Sequence, residues 1–401
     1  YGHIAKGLMH TRPLLNLKDE TDVALLKELA DEVYELVTGL EGTVSGEHGD
    51  GRIRSAYVKR FYPQIYPYFE EIKRLLDPEG LLNPEIILNT DPNLISSNLR
   101  FGSQYQETDL EQKQLQWEEG FINQVEMCHG CSKCTTITTA TRMCPIFKFT
   151  RDESASPKAK ANVLRGLISG AIPEPSLFEQ GLQSVVNKCV NCGSCYQECP
   201  SNVNIPKLAL EAKAQYTKKF GPTLYDRAVS NVEATARASK YLGPFANPLM
   251  GASLSKKMAE LLLGVSSKRE AIRFSSTPLR KRIKEVEGSG SKKVLYFAGC
   301  YASFIRPEIG EAAIKTMNAA GFSVVTPEQH CCGLPFLSKG MSEQAKVKVQ
   351  QNLDEWQNRL ETVDHIVVTC SSCGLSLLQE WAYLIGSEKA TPIKEKVIHI
   401  S

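Results

Sequence analysis

The spacing of apolar residues divides the chain into an N-terminal α+β segment, a helical middle and a C-terminal α/β segment. Residues 1–16 predict two strands joined by a turn at Gly7, and helical spacing from Asp19 predicts a helix behind an acidic first turn. Residues 121–215 predict mainly helices. After residue 291, the runs KVLYFAGC, PEIGEAAIKTMNAAG, FSVVT and DHIVVTC predict strand, helix, strand and strand, which indicates an α/β domain.

Breaks in this pattern predict five consecutive parts and a multi-domain α+β protein. They are an α+β piece, a polar linker, a helical segment, a helical connector and an α/β domain, at residues 1–90, 91–120, 121–220, 221–290 and 291–401. The Gly- and Ser-bearing stretch EGSGSKK, Glu287 to Lys293, predicts a flexible boundary before the last part.

Charge and hydropathy narrow the classes of function. The chain has 47 basic and 45 acidic side chains, and this balance gives no general attraction for nucleic acid or an anionic membrane. It contains no apolar run of the length that spans a membrane and no pattern of a signal peptide. We expect a cytoplasmic protein, and a peripheral location at the inner face of the membrane is a more specific form of this expectation. Because the chain starts without Met, inside a predicted strand, we also expect a fragment.

All 13 Cys residues fall into three motifs, and residues 1–127 contain none. A disulfide framework is typical of small secreted domains, so metal or cluster ligation is the better interpretation here. The first two motifs each contain a C-x2-C-x2-C triplet and a separate Cys-Pro pair, as in bacterial ferredoxins. They consist of Cys128, Cys131, Cys134 and Cys144, and of Cys189, Cys192, Cys195 and Cys199.

In the ferredoxin pattern the fourth Cys of each run binds the cluster of the other run. We therefore expect a [4Fe-4S] cluster on the Cys128 triplet with Cys199, and another on the Cys189 triplet with Cys144. A pair of zinc sites is the alternative, because an isolated CxxC often binds zinc.

The third motif comprises Cys300, Cys331-Cys332-Gly333 and Cys370-x-x-Cys373. Because these residues lie at predicted strand ends, we expect them to converge at one edge of a parallel sheet. The motif resembles the CCG domain of heterodisulfide reductase subunits and of the iron–sulfur subunits of glycolate oxidase and anaerobic glycerol-3-phosphate dehydrogenase. That resemblance implies a further cluster, although only one copy of the motif is present. Reduced thiols packed as small apolar side chains are the alternative.

Two turns of the N-terminal piece carry candidate metal ligands. His3 and His10 lie on either side of the Gly7 turn, and Glu47 and His48 lie in the Gly-rich sequence SGEHGDGR. Imidazole and carboxylate suit Zn²⁺ or another borderline divalent ion. On spacing alone, unrelated polar residues are the commoner case. A strand that pairs with the hairpin is expected to bring in the turn from Gly46 to Gly51.

The segments YGHIAKGLMHTRPLLNL, GTVSGEHGDGR and LLDPEGLLNPEIIL resemble the C-terminal substrate domain of FAD-linked oxidases of the vanillyl-alcohol-oxidase group. That group includes D-lactate and D-2-hydroxyglutarate dehydrogenases. The resemblance implies that His3, His10 and Glu47 bind a divalent metal, zinc in our expectation, that holds a 2-hydroxy acid, with His48 as the base. Many relatives read GHxGDGNxH, and this chain departs from that pattern at Ala5, Lys6 and Leu8.

This departure, together with MCPIFKFTRDESASPKAKANVLRGLISG, resembles long bacterial fusion proteins that join an FAD domain, this substrate domain, ferredoxin motifs and a CCG domain. The resemblance implies oxidation of a D-2-hydroxy acid, with electrons passed through [4Fe-4S] clusters to a quinone or a carrier protein. Arg12 and Arg52 are candidate clamps for the substrate carboxylate, or ordinary surface arginines.

The chain contains no Gly-rich dinucleotide fingerprint, so we expect FAD to be bound mainly by a domain upstream of Tyr1 and this fragment alone to be inactive. An electron-transfer iron–sulfur subunit of a glycolate-oxidase-like complex, without its own substrate site, is the first alternative. A zinc-dependent nucleic-acid-binding protein is disfavoured by the near-neutral charge.

Overall fold

The computed structural model describes residues 2–242, 246–283, 290 and 292–401, and it divides into two compact units. We call Tyr1–Gln106 the N-terminal unit and Glu107–Ser401 the C-terminal unit. Part of the predicted boundary stretch, residues 287–289 and 291, lies outside the described residues. The mixture of helices and sheet agrees with the predicted multi-domain α+β class, with an α/β part at the C-terminal end.

The N-terminal unit begins with the predicted hairpin. Strands β1 (Gly2–His3) and β2 (Leu8–Met9) pair antiparallel, with His3 opposite Leu8, and Gly7 turns between them with φ of 62°. The helices are α1 (Glu20–Gly39), α2 (Ser55–Phe61) and α3 (Tyr66–Leu76). Asp19 begins α1, because its carboxylate accepts the Thr21 N–H at 2.8 Å. Buried side chains are few and include Tyr57, Val58 and Tyr66.

The helical part of the C-terminal unit surrounds an apolar core that includes Phe121, Leu164 and Leu208. Its helices are α4 (Phe121–Glu126), α5 (Pro145–Thr150), α6 (Pro157–Ile168), α7 (Gln180–Asn187), α8 (Ser194–Gln197) and α9 (Ile205–Phe220). Cys144 directly precedes α5, where Pro145 occupies a first-turn position that needs no N–H donor. Cys199-Pro200 is followed by a turn, and α9 begins only at Ile205.

A run of shorter helices follows α9. They are α10 (Leu224–Ser230), α11 (Val232–Leu242), α12 (Ala246–Gly251), α13 (Ser253–Leu263) and α14 (Leu279–Arg282). A capping box starts α10, because the side chains of Thr223 and Asp226 each accept the other residue's backbone N–H.

The last part is a parallel sheet with the strand order β4-β3-β5-β6. The strands are β3 (Lys292–Phe297), β4 (Phe322–Val325), β5 (His365–Val368) and β6 (Val397–His399). The helices that connect and cover them are α15 (Pro307–Ala319), α16 (Leu334–Leu337), α17 (Ser342–Trp356), α18 (Ser371–Leu375), α19 (Trp381–Ile385) and α20 (Ser387–Lys394). Both faces are buried, because Leu295 and Phe297 belong to one apolar cluster and Val294 and Tyr296 to another.

This strand order places a topological switch point between β3 and β5. The chain continues from β3 to β4 on one side, whereas β5 and β6 lie on the other side. Ligands of open parallel sheets bind outside the carboxyl ends of the strands at such a point. The carboxyl ends of β3 and β5 are therefore where a site is expected.

Candidate functional site

In the N-terminal unit the hairpin brings the predicted metal-ligand residues together. The Glu47 Oε2 atom lies 3.5 Å from His3 Nε2 and 3.5 Å from His10 Nε2. One ligand atom from each of the three residues lies within 4.8 Å of the others, and we call this trio the His–Glu site. The His48 ring centroid is 5.5 Å from that of His10. The His10 side chain is 14 % exposed, against 48 % for His3 and 39 % for Glu47.

Packing of Gly46 against the Leu8 side chain of β2, rather than a third strand, carries the Gly46–Gly51 turn to the hairpin. Within the described residues this sheet has two strands, so the expected strand pairing was wrong. A Cβ atom on Gly46 would lie 2.7 Å from Leu8 Cδ1, so the Leu8 side chain would have to move to accept any other residue there. Arg54 braces the turn by donating from Nη1 to the Gly49 carbonyl at 2.8 Å. The sequence reasoning missed Arg54, which follows the motif by two residues.

The donor set of the His–Glu site fits a divalent metal. Metal–nitrogen and metal–oxygen bonds of about 2.0–2.2 Å place neighbouring ligand atoms roughly 3–4 Å apart. The two carboxylate–imidazole distances of 3.5 Å lie in that range. Two imidazoles and one carboxylate leave coordination positions open for a substrate.

The two arginines predicted as carboxylate clamps lie in different surroundings. Arg12 is exposed on the segment after β2. Arg52 is half-buried, and its Nη2 atom pairs with Glu85 Oε2 at 3.1 Å. A substrate carboxylate would therefore have to share the Arg52 guanidinium with Glu85 or displace it.

The eight ferredoxin-type Cys residues of the C-terminal unit line two neighbouring cavities. The first cluster cavity is lined by the Cys128 triplet and by Cys199. The second is lined by the Cys189 triplet and by Cys144. Cys195 borders both cavities. Each fourth Cys thus lies with the triplet of the other run, which is the exchange that the spacing predicts.

Burial and nearby lysines control the charge of these thiols. Burial raises the pKa of Cys134 to about 11 and also raises the pKa of Cys195, so both thiols must lose a proton before they bind metal. Lys160 is 2 % exposed and lines the second cavity, and burial lowers its pKa against the attraction of Cys189 and Cys144. The Lys213 ammonium donates to the Cys189 carbonyl at 3.0 Å. Both lysines would stabilise thiolates and an anionic cluster.

The five remaining Cys residues converge in one chain of side-chain hydrogen bonds. The order of contact is Cys300, Cys331, Cys332, Cys373 and Cys370, and we call this set the five-thiol site. Cys300 follows β3 and Cys370 follows β5, so the site lies at the switch point of the sheet. Gly299 has φ of 64°, and a Cβ there would lie 2.7 Å from Cys373 Sγ.

The hydrogen bonds between these thiols divide them into two kinds. Donation from Cys300 and Cys332 lowers the pKa of Cys331 to about 4, and donation from Cys373 lowers that of Cys370 to about 5. The pKa of each donor thiol is raised, because losing its proton would break the hydrogen bond. These donors are Cys300, Cys332 and Cys373. Cys331 and Cys370 are therefore the two thiols of the site that lose a proton most readily, and the thiolate is the form that binds metal.

Residues from four distant elements fix the backbone of Cys331 and Cys332. The Cys331 N–H donates to Glu233 Oε2 at 3.0 Å, and its carbonyl accepts Asn352 Nδ2 at 3.1 Å. The Cys332 carbonyl accepts Ser376 Oγ at 3.1 Å and Trp381 Nε1 at 3.0 Å. The sequence reasoning missed all four supporting side chains, which carry no motif.

A buried side-chain contact joins the second cluster cavity to the helices around the five-thiol site. Asn191, which lies between Cys189 and Cys192, donates from Nδ2 to Glu380 Oε1. Glu380 is 2 % exposed, and burial raises its pKa to about 8. It lies on the same helical stretch as Ser376, which holds the Cys332 carbonyl.

Comparison with known families matches three stretches of the chain. Residues 1–87 match the C-terminal domain of FAD linked oxidases, residues 123–203 match a 4Fe-4S dicluster domain, and residues 294–378 match the cysteine-rich CCG domain. Within the described residues, no helix is both long enough and apolar enough to cross a membrane. No solved structure matches the chain with significance.

Curated relatives extend the similarity across these domains. The D-2-hydroxyglutarate dehydrogenase of Pseudomonas putida is 26 % identical over 65 % of this chain and 29 % of its own length. The Escherichia coli K12 protein of the same name is 23 % identical over 86 % of this chain and 38 % of its own length. The chain thus spans about a third of these relatives.

A relative of a different kind is a component of the anaerobic glycerol-3-phosphate dehydrogenase of Escherichia coli K12. It is 24 % identical over 64 % of this chain and 63 % of its own length. The chain therefore joins a C-terminal domain of FAD-linked oxidases, a 4Fe-4S dicluster domain and a CCG domain, and it is homologous to D-2-hydroxyglutarate dehydrogenases.

Proposed function

We propose that the chain is the substrate-binding and electron-transfer part of a flavin-dependent dehydrogenase. This enzyme oxidises a D-2-hydroxy acid, D-2-hydroxyglutarate or D-lactate, to the 2-oxo acid. The observation that carries the proposal is the gathering of His3, His10 and Glu47, with His48 beside them, in the part that matches FAD-linked oxidases. The names of the relatives support the hydroxy-acid substrate.

In the proposed mechanism His3, His10 and Glu47 hold a divalent metal, zinc in our proposal. When bound, the metal supplies Lewis-acid polarisation of the substrate hydroxyl, and FAD, held mainly outside these residues, supplies the hydride acceptor. A ring nitrogen of His48 takes the hydroxyl proton as the carbonyl forms and the α-hydrogen leaves with two electrons. Arg12 and Arg52 orient the substrate carboxylate.

The Cys-lined sites would hold iron–sulfur clusters, which when bound would supply the path for the electrons. In our proposal, one [4Fe-4S] cluster is held by Cys128, Cys131, Cys134 and Cys199, and a second by Cys189, Cys192, Cys195 and Cys144. A further cluster is proposed for the five-thiol site. The final acceptor is a quinone or a carrier protein, and the protein works in the cytoplasm, peripherally at the inner face of the membrane. The boundaries 1–90, 91–120, 121–220, 221–290 and 291–401 belong to the same proposal.

An electron-transfer protein without its own substrate site is the second candidate. The similarity to a component of anaerobic glycerol-3-phosphate dehydrogenase favours it. The two candidates differ in the role of the His–Glu site, which only the first one needs.

Replacing His10 tests the first candidate in the protein that combines this chain with its flavin domain. His10→Ala should abolish oxidation of D-2-hydroxy acids and leave the iron and acid-labile sulfide contents unchanged. Lys6→Ala, an exposed change on the same hairpin, is the matched control and should keep the activity. Undiminished activity in His10→Ala would exclude the assigned metal role and favour the second candidate.

A further inference from the structure

The segment around α12, α13 and α14 concentrates positive charge that the whole-chain balance conceals. Residues 246–283 contain eight Lys or Arg and two Glu, a net charge of +6, whereas the whole chain has +2. The remaining residues are therefore net negative, at −4. Arg280 and Arg282 pair with Glu328 and Glu311 of the same chain. Residues 246–273, with five Lys or Arg and two Glu, keep a net charge of +3 that favours an anionic partner.

Helix α13 turns its apolar face to solvent. Leu254, Met258, Leu261 and Leu262 follow the i, i+4, i+7, i+8 spacing of one helix face, which normally faces the core of a globular protein. Their exposures are instead 72 %, 52 %, 85 % and 65 %, and α13 contains no buried residue. Leu249 of the adjoining α12 is 67 % exposed.

Basic side chains border this apolar face. Lys257 is exposed on α13 beside the face, and Lys268, Arg269 and Arg273 are exposed on the segment that follows. An exposed leucine face with neighbouring Lys and Arg is the pattern of a helix that lies in the plane of a bilayer with anionic lipids.

We propose that α12, α13 and residues 264–273 form a surface that binds an anionic phospholipid bilayer. The four apolar side chains of α13 enter the boundary between headgroups and acyl chains, and the lysines and arginines contact the headgroup phosphates. We call this region the Leu–Lys surface. The inference rests on the peripheral membrane location given under the proposed function, and it names the surface that would contact the membrane. Charge complementarity selects anionic lipid, because a purely apolar partner would leave the net charge of +3 of residues 246–273 unmatched.

Vesicle flotation of the iron-loaded chain tests the proposal. Binding should be strong to vesicles that mix phosphatidylglycerol with phosphatidylcholine, and roughly tenfold or more weaker to pure phosphatidylcholine or at high salt. The double variant Leu254→Ser/Leu261→Ser should lose binding at every lipid composition. Lys256→Gln/Lys257→Gln should lose only the preference for anionic lipid. Leu75→Ser/Leu76→Ser, at the exposed end of α3, is the matched control and should bind normally.

Three outcomes would overturn the proposal. Equal binding to both kinds of vesicle would contradict the proposed attraction between the basic side chains and anionic lipid. Full binding by the Leu254→Ser/Leu261→Ser variant would contradict the proposed insertion of the apolar face. Self-association that this variant abolishes, without vesicle binding by the parent, assigns the surface to a second copy. Circular dichroism and iron content, unchanged in the variants, exclude misfolding. The proposed enzymatic function is tested separately, in the protein that combines this chain with its flavin domain. With a water-soluble dye as electron acceptor, Leu254→Ser/Leu261→Ser should keep hydroxy-acid oxidation, and His10→Ala should keep vesicle binding.

Discussion

The His–Glu site and the five-thiol site are built in opposite ways. Two of the three side chains of the first are well exposed, and they are held by strands of two residues each and one close turn. Three of the five thiols of the second are buried, and they lie where strands separated by tens of residues end together. A short two-stranded hairpin is marginally stable alone, whereas a parallel sheet is part of a core.

From this difference we expect the geometry of the His–Glu site to depend on its bound ligand and that of the five-thiol site to depend on the core residues around it. An open site with few supporting contacts gains order from the metal it binds. A buried site loses its geometry when a neighbouring core residue is removed, even if every ligand residue remains. Four changes, taken in order of expected effect, test this contrast.

The largest effect is expected from Trp381→Ala in the core below the five-thiol site. Trp381 is fully buried, lies against Trp356 with centroids 5.6 Å apart, and donates to the Cys332 carbonyl. Its loss should lower the free energy of unfolding by about 3–5 kcal/mol in urea titrations. His3→Ala, a change in the exposed site, should cost no more than about 0.5 kcal/mol without metal. Equal losses of unfolding free energy in the two variants would contradict the proposed difference between the two sites.

The next effect is a pH dependence from Glu380. Because burial raises its pKa to about 8, the folded protein retains a proton that the unfolded chain releases near 4.5. Its stabilising contribution is complete below 4.5 and falls by about 1.4 kcal/mol per pH unit as the pH rises toward 8. Urea titrations across this window should show the decline, and Glu380→Gln should flatten it. An unaltered slope in that variant would assign the decline to another group.

Adding a divalent metal should stabilise the N-terminal unit by about 2.7 kcal/mol at 100 times its dissociation constant. All three Trp residues lie in the C-terminal unit, so fluorescence would miss this change. Hydrogen exchange of the hairpin amides should detect it, with Zn²⁺ added to protein whose thiols already hold iron. Glu47→Ala should remove the protection, and Glu85→Ala should retain it. Protection that persists in Glu47→Ala would place the metal elsewhere.

The smallest effect comes from a matched pair of glycines. Gly7 and Gly299 have φ of 62° and 64°, but only Gly299 has a neighbour, Cys373 Sγ, in the path of a Cβ atom. Gly7→Ala should cost about 1 kcal/mol from backbone strain alone. Gly299→Ala adds a steric cost of about 1 kcal/mol, because the Cys373 side chain can shift, and should also reduce metal binding at the five-thiol site. Urea titrations of the two variants would refute this prediction if the costs were equal.

Local pattern was enough to predict the hairpin, the helix at Asp19 and the α/β alternation, because each depends on neighbours in the chain. The positions of the Cys residues at strand ends also followed from periodicity. Side chains that act across long distances in sequence could not be predicted: Glu233 and Trp381 reach the Cys331-Cys332 backbone from separate helices. The pairing of Arg52 with Glu85 depends on tertiary packing in the same way. The Leu–Lys surface was missed because net charge averages over the whole chain.

The exchanged positions of Cys144 and Cys199 have a consequence for how the dicluster domain can be divided. Each cavity takes three Cys residues from one run and its fourth from the other. In the ligand assignment proposed above, a break anywhere between residues 145 and 188 would separate both clusters from one ligand at once. In that assignment neither half of this domain, expressed alone, would keep all four ligands of either cluster.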